Sequence, residues 1–363
     1  MGQGPGTRLD CIRVSDASRQ QRRRRLERAL GIFVSLIALA GVVYWALKQQ
    51  APTFPGDTGG WALIGAACAV YTAETLARGW RWHVILRHAE IEHQRRDAVG
   101  VTVVGYMGNT VLPARGGEFL RIIIMGERSG ARRREVLGTI VPERLLDAGA
   151  LALLFALITI LGAQKTSIGP AAAIAAAVVA VLGGIGLYVY HRLRGAGHFE
   201  TFAERIRPVA RGSRLLVTPW GAGLLLLTCT IWIAEGVTLT LCAQALNVSL
   251  SWPEAFATVV LASFFSLIPA APGFVGTFDA AVIFGLKAAK VTGSAALSVL
   301  LMYRFVLFVP ITIIGLILLL TRYGGFAMLR SAERDSEEVS IDADLRQDER
   351  AADARGNLRT SEP

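Results

Sequence analysis

Two short apolar segments, each broken by proline and glycine, limit the possible folds of this chain more than any other feature. They cover residues 108–121 and 266–279. Neither could cross a bilayer as one helix, and irregular backbone survives at membrane depth only where it is buried in protein or lines a polar cavity. An apolar stretch with an arginine follows each of them, carrying Arg144 and Arg304 respectively. Two such breaks at matching places in the two halves predict a transporter-like site.

The composition predicts a membrane protein. The chain has 363 residues, of which 53% are hydrophobic, and a mean hydropathy of +0.45, which is too apolar for an ordinary soluble protein. Its net charge of +10 falls mainly in loops between apolar stretches, as membrane orientation requires, so we expect no nucleic-acid partner. The cysteines and histidines lack metal-type spacing, and we predict no cofactor and no metal.

The apolar runs predict an all-α, polytopic membrane bundle of about six transmembrane helices plus two re-entrant helical hairpins, at ~20 residues per span. The predicted spans lie at roughly 29–47, 61–82, 136–162, 170–190, 220–246 and 294–321. The predicted hairpins lie at 97–127, entering from the cytoplasm, and at 254–289, entering from outside. Each half then reads span, span, hairpin, span in opposite orientations, which is an inverted repeat.

Charge divides the chain into three predicted regions. Residues 1–28 form a basic cytoplasmic segment, 29–322 the transmembrane domain, and 323–363 a charged tail that we expect to be disordered and cytoplasmic. Both termini are therefore expected in the cytoplasm. The loop after the second span is also expected to be cytoplasmic because of its basic residues, which are Arg81, Arg87, Arg95 and Arg96.

Ionisable residues inside or beside the predicted spans are the candidate site, because a charge at a helix centre costs about 2.5–3.5 kcal/mol on insertion scales. Arg144 and Arg304 would bind the phosphate of an anionic lipid headgroup, since the planar guanidinium binds phosphate through two N–H groups. Carboxylates would balance the arginines or hold an amine. The candidate substrate-binding residues are Asn109, Arg115, Glu118, Arg121, Glu143, Arg144, Asp147, Glu235, Asp279 and Arg304.

Structural explanations of the same residues stay open. Glu74 and Arg78 have the spacing of an ion pair within one helix, and Glu235 could neutralise Arg304. Asp279 could cap a helix rather than line a cavity. The first broken segment could be a cytoplasmic loop with an amphipathic helix.

Four motifs in order along the chain carry a resemblance to a known family. They are Asn109-x-x-Leu112-Pro113-x-Arg115-x-Gly117-Glu118-x-x-Arg121, Glu143-Arg144-Leu145-Leu146-Asp147, Pro269-x-x-Pro272-Gly273-x-x-Gly276 and Tyr303-Arg304. Over roughly residues 25–322 the chain resembles the lysylphosphatidylglycerol synthase transmembrane-region family, the flippase-like domains of bacterial multiple peptide resistance factors and of many stand-alone proteins. The resemblance implies a multi-pass protein of the bacterial inner membrane that moves a phospholipid, hopanoid or lipid-linked sugar between leaflets.

The end of the chain refines this expectation. About forty residues follow Arg322, so we expect a stand-alone member without the synthase domain and without catalysis. A separate lipid-modifying enzyme is then a possible partner, and a homo-oligomer is possible. Two alternatives remain: a membrane-embedded lipid or glycosyl transferase with Glu118 or Asp279 as base, and a non-catalytic partner of a lipid-modifying enzyme.

Overall fold

A computed structural model describes residues 44, 51–112, 116–162, 213–266 and 272–325. Within those residues the fold is all-α, as predicted, with eight helices and no strand. In chain order they are α1 (Thr58–His88), α2 (Arg95–Val111), α3 (Gly116–Ser129), α4 (Arg133–Gly162), α5 (Pro219–Gln244), α6 (Trp252–Phe265), α7 (Thr277–Ala288) and α8 (Gly293–Arg322). The segment 1–28, the predicted span at 170–190, Arg115, almost all of the tail and all of the predicted span at 29–47 except residue 44 lie outside the described residues.

Polar residues fix where several helices begin. The Asp57 carboxylate accepts a hydrogen bond of 2.7 Å from the Gly60 N–H at the start of α1, as an N-cap residue does. At the start of α6, the Glu254 carboxylate accepts one of 3.0 Å from the Ser251 N–H, which is half of a capping box. Pro219 opens α5, where its missing N–H costs nothing.

Three helices, α1, α5 and α8, are long and apolar enough to cross a membrane. Helix α4 is equally long, at 30 residues, and has more charge in its first half. Pro142 lies inside α4 and cannot donate to the carbonyl of Gly138. That weakened turn immediately precedes Glu143 and Arg144.

Each of the two broken segments forms a pair of short helices, α2 with α3 and α6 with α7. In the first pair the backbones touch, because a Cβ at Gly117 would overlap the carbonyl oxygen of Gly105. The Asn109 side-chain oxygen also accepts a hydrogen bond of 3.0 Å from the Gly117 N–H. Glycine at this crossing is therefore a condition for the α2–α3 pair to close.

The turn before α7 brings the two helix pairs into contact. Gly273 and Phe274 have φ values of 65° and 54°, a left-handed conformation that glycine tolerates and phenylalanine rarely adopts. The turn packs against α2, and a Cβ on Gly273 would lie 3.5 Å from the Thr110 carbonyl oxygen. The breaks in the two segments thus lie against each other.

The described helix ends form two separate groups. In one group the Thr53 N–H donates to Ser298 Oγ over 2.8 Å, so the starts of α1 and α8 are neighbours. In the other, Arg322 Nη2 donates to Asp97 Oδ1 over 2.8 Å, and Arg128 Nη2 donates to the Arg322 carbonyl over 2.8 Å. The start of α2 and the ends of α3 and α8 therefore lie together at the opposite end.

Two main apolar clusters hold the helices together. One joins α1 and α2 to α5, α6, α7 and α8, and the other joins α1 to α2, α3, α4 and the end of α8. Helix α1 takes part in both, so the charged residues in the middle of its second half are enclosed by protein. Arg78 and Arg81 are 5% and 0% exposed.

Candidate functional site

Arg81 is the centre of a buried charge network. Its Nη1 donates to Asp147 Oδ1 over 2.7 Å and to Thr228 Oγ1 over 2.9 Å, and its Nη2 donates to Glu143 Oε1 over 3.2 Å. The expectation that Arg81 lies in a cytoplasmic loop is wrong. Helix α1 continues to His88, and the Arg81 side chain is completely buried. Such charge-assisted bonds are the condition for keeping a guanidinium in an apolar helix bundle.

Arg121 completes the inner part of this network. Its Nη2 donates to Glu143 Oε2 over 2.7 Å, so Glu143 is shared by two guanidinium groups. The Arg121 guanidinium also lies 4.1 Å from the centre of the Trp82 ring, in cation–π geometry. Trp82 is held in turn by a 3.0 Å hydrogen bond from its Nε1 to Thr139 Oγ1.

Arg144 and Glu118 form the exposed edge of the network. Arg144 lies 3.4 Å from Asp147 Oδ2 and 3.5 Å from Glu118 Oε1. The Arg144 side chain is 36% exposed and that of Glu118 is 27% exposed. We call the whole group the Arg81 network; its members are Arg81, Glu118, Arg121, Glu143, Arg144 and Asp147. It contains three arginines and three carboxylates, so its formal charge is zero.

A second ion pair joins Arg304 of α8 to Asp279 of α7. Arg304 Nε donates to Asp279 Oδ1, and its Nη2 donates to the Gly273 carbonyl over 3.4 Å. The other Asp279 oxygen accepts a 2.8 Å hydrogen bond from the Gly276 N–H. Asp279 therefore both caps α7 and neutralises Arg304. The alternative in which Glu235 neutralises Arg304 is wrong.

Glu235 instead faces Arg78. Arg78 Nη2 donates to Glu235 Oε2 over 2.7 Å, and Tyr303 Oη donates to Glu235 Oε1 over 3.1 Å. Glu74, on the same helix as Arg78, lies 3.7 Å from that guanidinium. The predicted Glu74–Arg78 pair is present, but the shorter contact of Arg78 is to Glu235. Arg78 Nη1 also donates to Tyr106 Oη over 3.2 Å.

The two partly exposed arginines occupy equivalent places. Arg144 lies eleven positions after Arg133, the first residue of α4, and Arg304 eleven positions after Gly293, the first residue of α8. Each arginine pairs with a carboxylate from the first turn of the second helix of a pair. These carboxylates are Glu118 and Asp279.

Nine of the ten predicted site residues fall into separate groups, and the tenth, Arg115, lies outside the described residues. The Arg81 network contains five of them, Asp279 pairs with Arg304, Glu235 lies beside Arg78, and Asn109 closes the α2–α3 pair. Substrate binding by them remains a prediction. The predicted set omits Arg78 and Arg81. Their spacing could have indicated them, because Glu74, Arg78 and Arg81, four and three positions apart, form one charged face on an apolar helix.

A cavity of about 620 Å³ lies beside the end of α1. None of its lining residues belongs to the Arg81 network, to the Arg304–Asp279 pair or to the group around Arg78. We call it the basic groove; its lining residues are Trp80, His83, Val84, Arg87, His88, Arg95 and Trp220. Its arginines and tryptophans are the residue types of a membrane–water interface.

Apolar helices of spanning length around buried arginine–carboxylate networks define a multi-pass membrane protein. The sequence profile of the Lysylphosphatidylglycerol synthase TM region family matches residues 27–315. The chain belongs to this family, which confirms the resemblance expected from its motifs.

Two curated relatives show how much of a longer protein this chain covers. It is 25% identical over 324 residues to Glycosyltransferase AglD of Haloferax volcanii, an alignment covering 76% of this chain and 51% of the relative. It is 31% identical over 119 residues to Phosphatidylglycerol lysyltransferase of Staphylococcus aureus, covering 33% of this chain and 14% of that protein. The chain thus spans about half the length of the first relative and a small part of the second.

Proposed function

We propose that this protein moves an anionic or amphiphilic lipid, of the phospholipid, hopanoid or lipid-linked sugar type, between the leaflets of the bacterial inner membrane. The observation that carries the proposal is the pair of partly exposed arginines, Arg144 and Arg304, at equivalent places in the two halves. The side chain of Arg144 is 36% exposed and that of Arg304 is 20% exposed, and the carboxylate partner of each is more buried. Each can therefore offer N–H groups to a ligand without leaving its partner.

We further propose the six-span, two-hairpin inverted repeat as the architecture that performs this movement. Three observations support it: each broken segment is a helix pair, the turn of the second pair lies against α2, and the helix ends form two groups. With a rise of 1.5 Å per residue, Arg144 and Arg304 lie about 16 Å from the starts of their helices. We propose that this distance places both arginines near the middle of a hydrocarbon core of about 30 Å.

The proposed mechanism is an exchange of ion-pair partners. A lipid phosphate entering from one leaflet would share Arg144 with Glu118, so that the guanidinium stays neutralised throughout. Passage to Arg304, paired with Asp279, would place the headgroup at the equivalent site of the other half. The Phe278 and Phe308 rings, 5.4 and 5.1 Å from the Arg304 guanidinium, would keep water from that end of the path.

A transferase is the second candidate, because both relatives carry transferase names. This chain covers only part of each, so a transferred activity is an alternative and not a conclusion. In that alternative Glu118 or Asp279 acts as base, and each faces an arginine. A non-catalytic partner of a separate lipid-modifying enzyme is the third candidate.

Lipid scrambling in proteoliposomes tests the proposal. Headgroup-labelled and tail-labelled lipids are exposed to a membrane-impermeant quencher, and wild type is compared with Arg144→Gln and Arg304→Gln. The matched control is Arg132→Gln, which removes an exposed arginine outside the networks. We expect quenching beyond the outer-leaflet half for wild type and the control, and its loss in both site variants. No acceleration over empty vesicles for any phospholipid or polyprenyl lipid would reject lipid movement and favour the other two candidates.

A further inference from the structure

The groups around Arg78 carry one more negative than positive charge. Glu74, Arg78 and Glu235 are 3%, 5% and 6% exposed, and we call them the Arg78 cluster. With both carboxylates ionised its formal charge is −1, whereas the Arg81 network and the Arg304–Asp279 pair are each neutral. A buried charge without a partner is strongly unfavourable in a low-dielectric interior. The cluster therefore lacks one positive charge.

Hydrogen bonds show which carboxylate is short of a partner. Glu235 receives a 2.7 Å bond from Arg78 on one oxygen and a 3.1 Å bond from Tyr303 on the other. Glu74 lies 3.7 Å from Arg78, beyond hydrogen-bond distance. Its own side chain is 1% exposed. Arg78 thus satisfies Glu235, while Glu74 has a longer-range attraction to Arg78 and lies against the Glu235 carboxyl group.

No second cation faces the cluster among the described residues. Four helices pack around it, and apart from Arg78 the titratable groups that they contribute are carboxyls and phenols. The Trp232 ring of α5 also faces Arg78, with its centre 5.2 Å from the guanidinium. The titratable groups facing Glu74 are Tyr71 and Arg78 of α1, Glu235 of α5 and Tyr303 of α8, and Tyr106 of α2 faces Arg78. The next arginine, Arg81, has both Nη atoms bonded within its own network.

Glu74 and Glu235 are also equivalent positions. Glu74 lies sixteen positions after Thr58, the first residue of α1, and Glu235 sixteen positions after Pro219, the first residue of α5. Helices α1 and α5 pack along each other and hold the same place in the two halves of the proposed repeat. Equivalent residues on such helices meet where the symmetry axis passes, so the repeat itself places two carboxylates together.

We infer that Glu74 and Glu235 bind one proton between them, and that this proton is the coupling ion of the lipid movement. An O–H bond forms on one carboxylate as a hydronium ion breaks one of its own O–H bonds and becomes water, and no other covalent bond changes. The cluster is neutral with the proton and −1 without it. The coupling half of this inference rests on the proposed function. Helix α1 is the physical connection between the proton site and the lipid site. It carries Arg78 and, one turn further, Arg81. Asp147, the partner of Arg81, also holds Arg144.

Infrared spectroscopy of the purified protein tests proton binding without any transport. We expect a carbonyl stretch of a protonated, buried carboxylic acid that shifts in D₂O and is lost in Glu74→Gln or in Glu235→Gln. Glu127→Gln, which changes an exposed carboxylate on α3, should leave the band unchanged. Absence of the band in wild type, or its persistence in both cluster variants, would overturn the inference.

Flux under a pH gradient tests the coupling. In proteoliposomes we expect net movement of a labelled anionic phospholipid to respond to an imposed pH gradient in wild type and in Glu127→Gln. Glu74→Gln, which fixes a neutral side chain at the site, should move the lipid at a rate that no longer responds to the gradient. A gradient-independent wild-type rate, together with the infrared band, would overturn coupling alone. Absence of any lipid movement would instead reject the proposed function.

Discussion

At the scale of single residues, burial decides what each arginine does. Arg81 and Arg87 lie on the same helix six positions apart, yet one is fully buried and the other exposed. The sequence alone groups them as basic loop residues, because a shift of the helix end by one or two turns reverses the interpretation. What places Arg81 inside is its three tertiary partners, and partners on other helices cannot be deduced from spacing along one helix.

Removing Arg81 should therefore destabilise the fold. Arg81→Gln would leave Glu143 and Asp147 with fewer cationic partners in a buried site, and breaking a buried ion pair on one side costs about 3–5 kcal/mol. Unfolding of the detergent-solubilised protein measures this directly. Arg87→Gln is the matched control on the same helix and should change stability little. Equal stability of the two variants would show that the Arg81 network does not hold the helices together.

At the scale of helices, the broken segments were predictable and their contacts were not. Proline and glycine predicted both breaks. The two helix pairs extend two residues beyond the predicted limits on three sides and end one residue short on the fourth. The pairing of Glu118 with Arg144 joins α3 to α4, and the contact of Gly117 with Gly105 joins α3 to α2. Neither contact leaves a periodic signal in the sequence.

The close crossing of α2 and α3 gives a prediction at this scale. Gly117→Ala would drive a methyl group into the Gly105 carbonyl, and such overpacking costs about 1–3 kcal/mol or more when backbone must move. We expect a lower melting temperature and loss of lipid movement, because α3 carries Glu118 and Arg121. Gly223→Ala, in a helix position with no atom within 4 Å of the added Cβ, serves as the control. A Gly117→Ala protein as stable as this control would contradict the packing described.

At the scale of the whole molecule, charge is unevenly distributed between the two groups of helix ends. The end that holds the basic groove carries exposed arginines that include Arg87, Arg95, Arg96, Arg128 and Arg132. By the positive-inside rule we predict that this end faces the cytoplasm. The predicted inverted repeat depends on that assignment, and the spans at 29–47 and 170–190 on which it also depends lie, except for residue 44, outside the described residues.

Cysteine labelling in intact cells tests this topology. In a cysteine-free background, Gly56→Cys and Lys287→Cys, at exposed positions before α1 and late in α7, should react with an impermeant thiol reagent added outside. Arg95→Cys should react only after the membrane is permeabilised. Labelling of positions 56 and 287 from opposite sides would exclude the proposed repeat.

The measurement closest to the central claim follows one labelled lipid past both arginines. A lipid with a photoactivatable phosphate headgroup is supplied only to the leaflet at the basic-groove side of oriented vesicles, and cross-linked peptides are identified over time. We predict cross-links near Arg144 first and near Arg304 later, with the later set absent in Arg144→Gln. Simultaneous cross-links at both places, or late cross-links that persist in Arg144→Gln, would contradict passage of the headgroup from one arginine to the other.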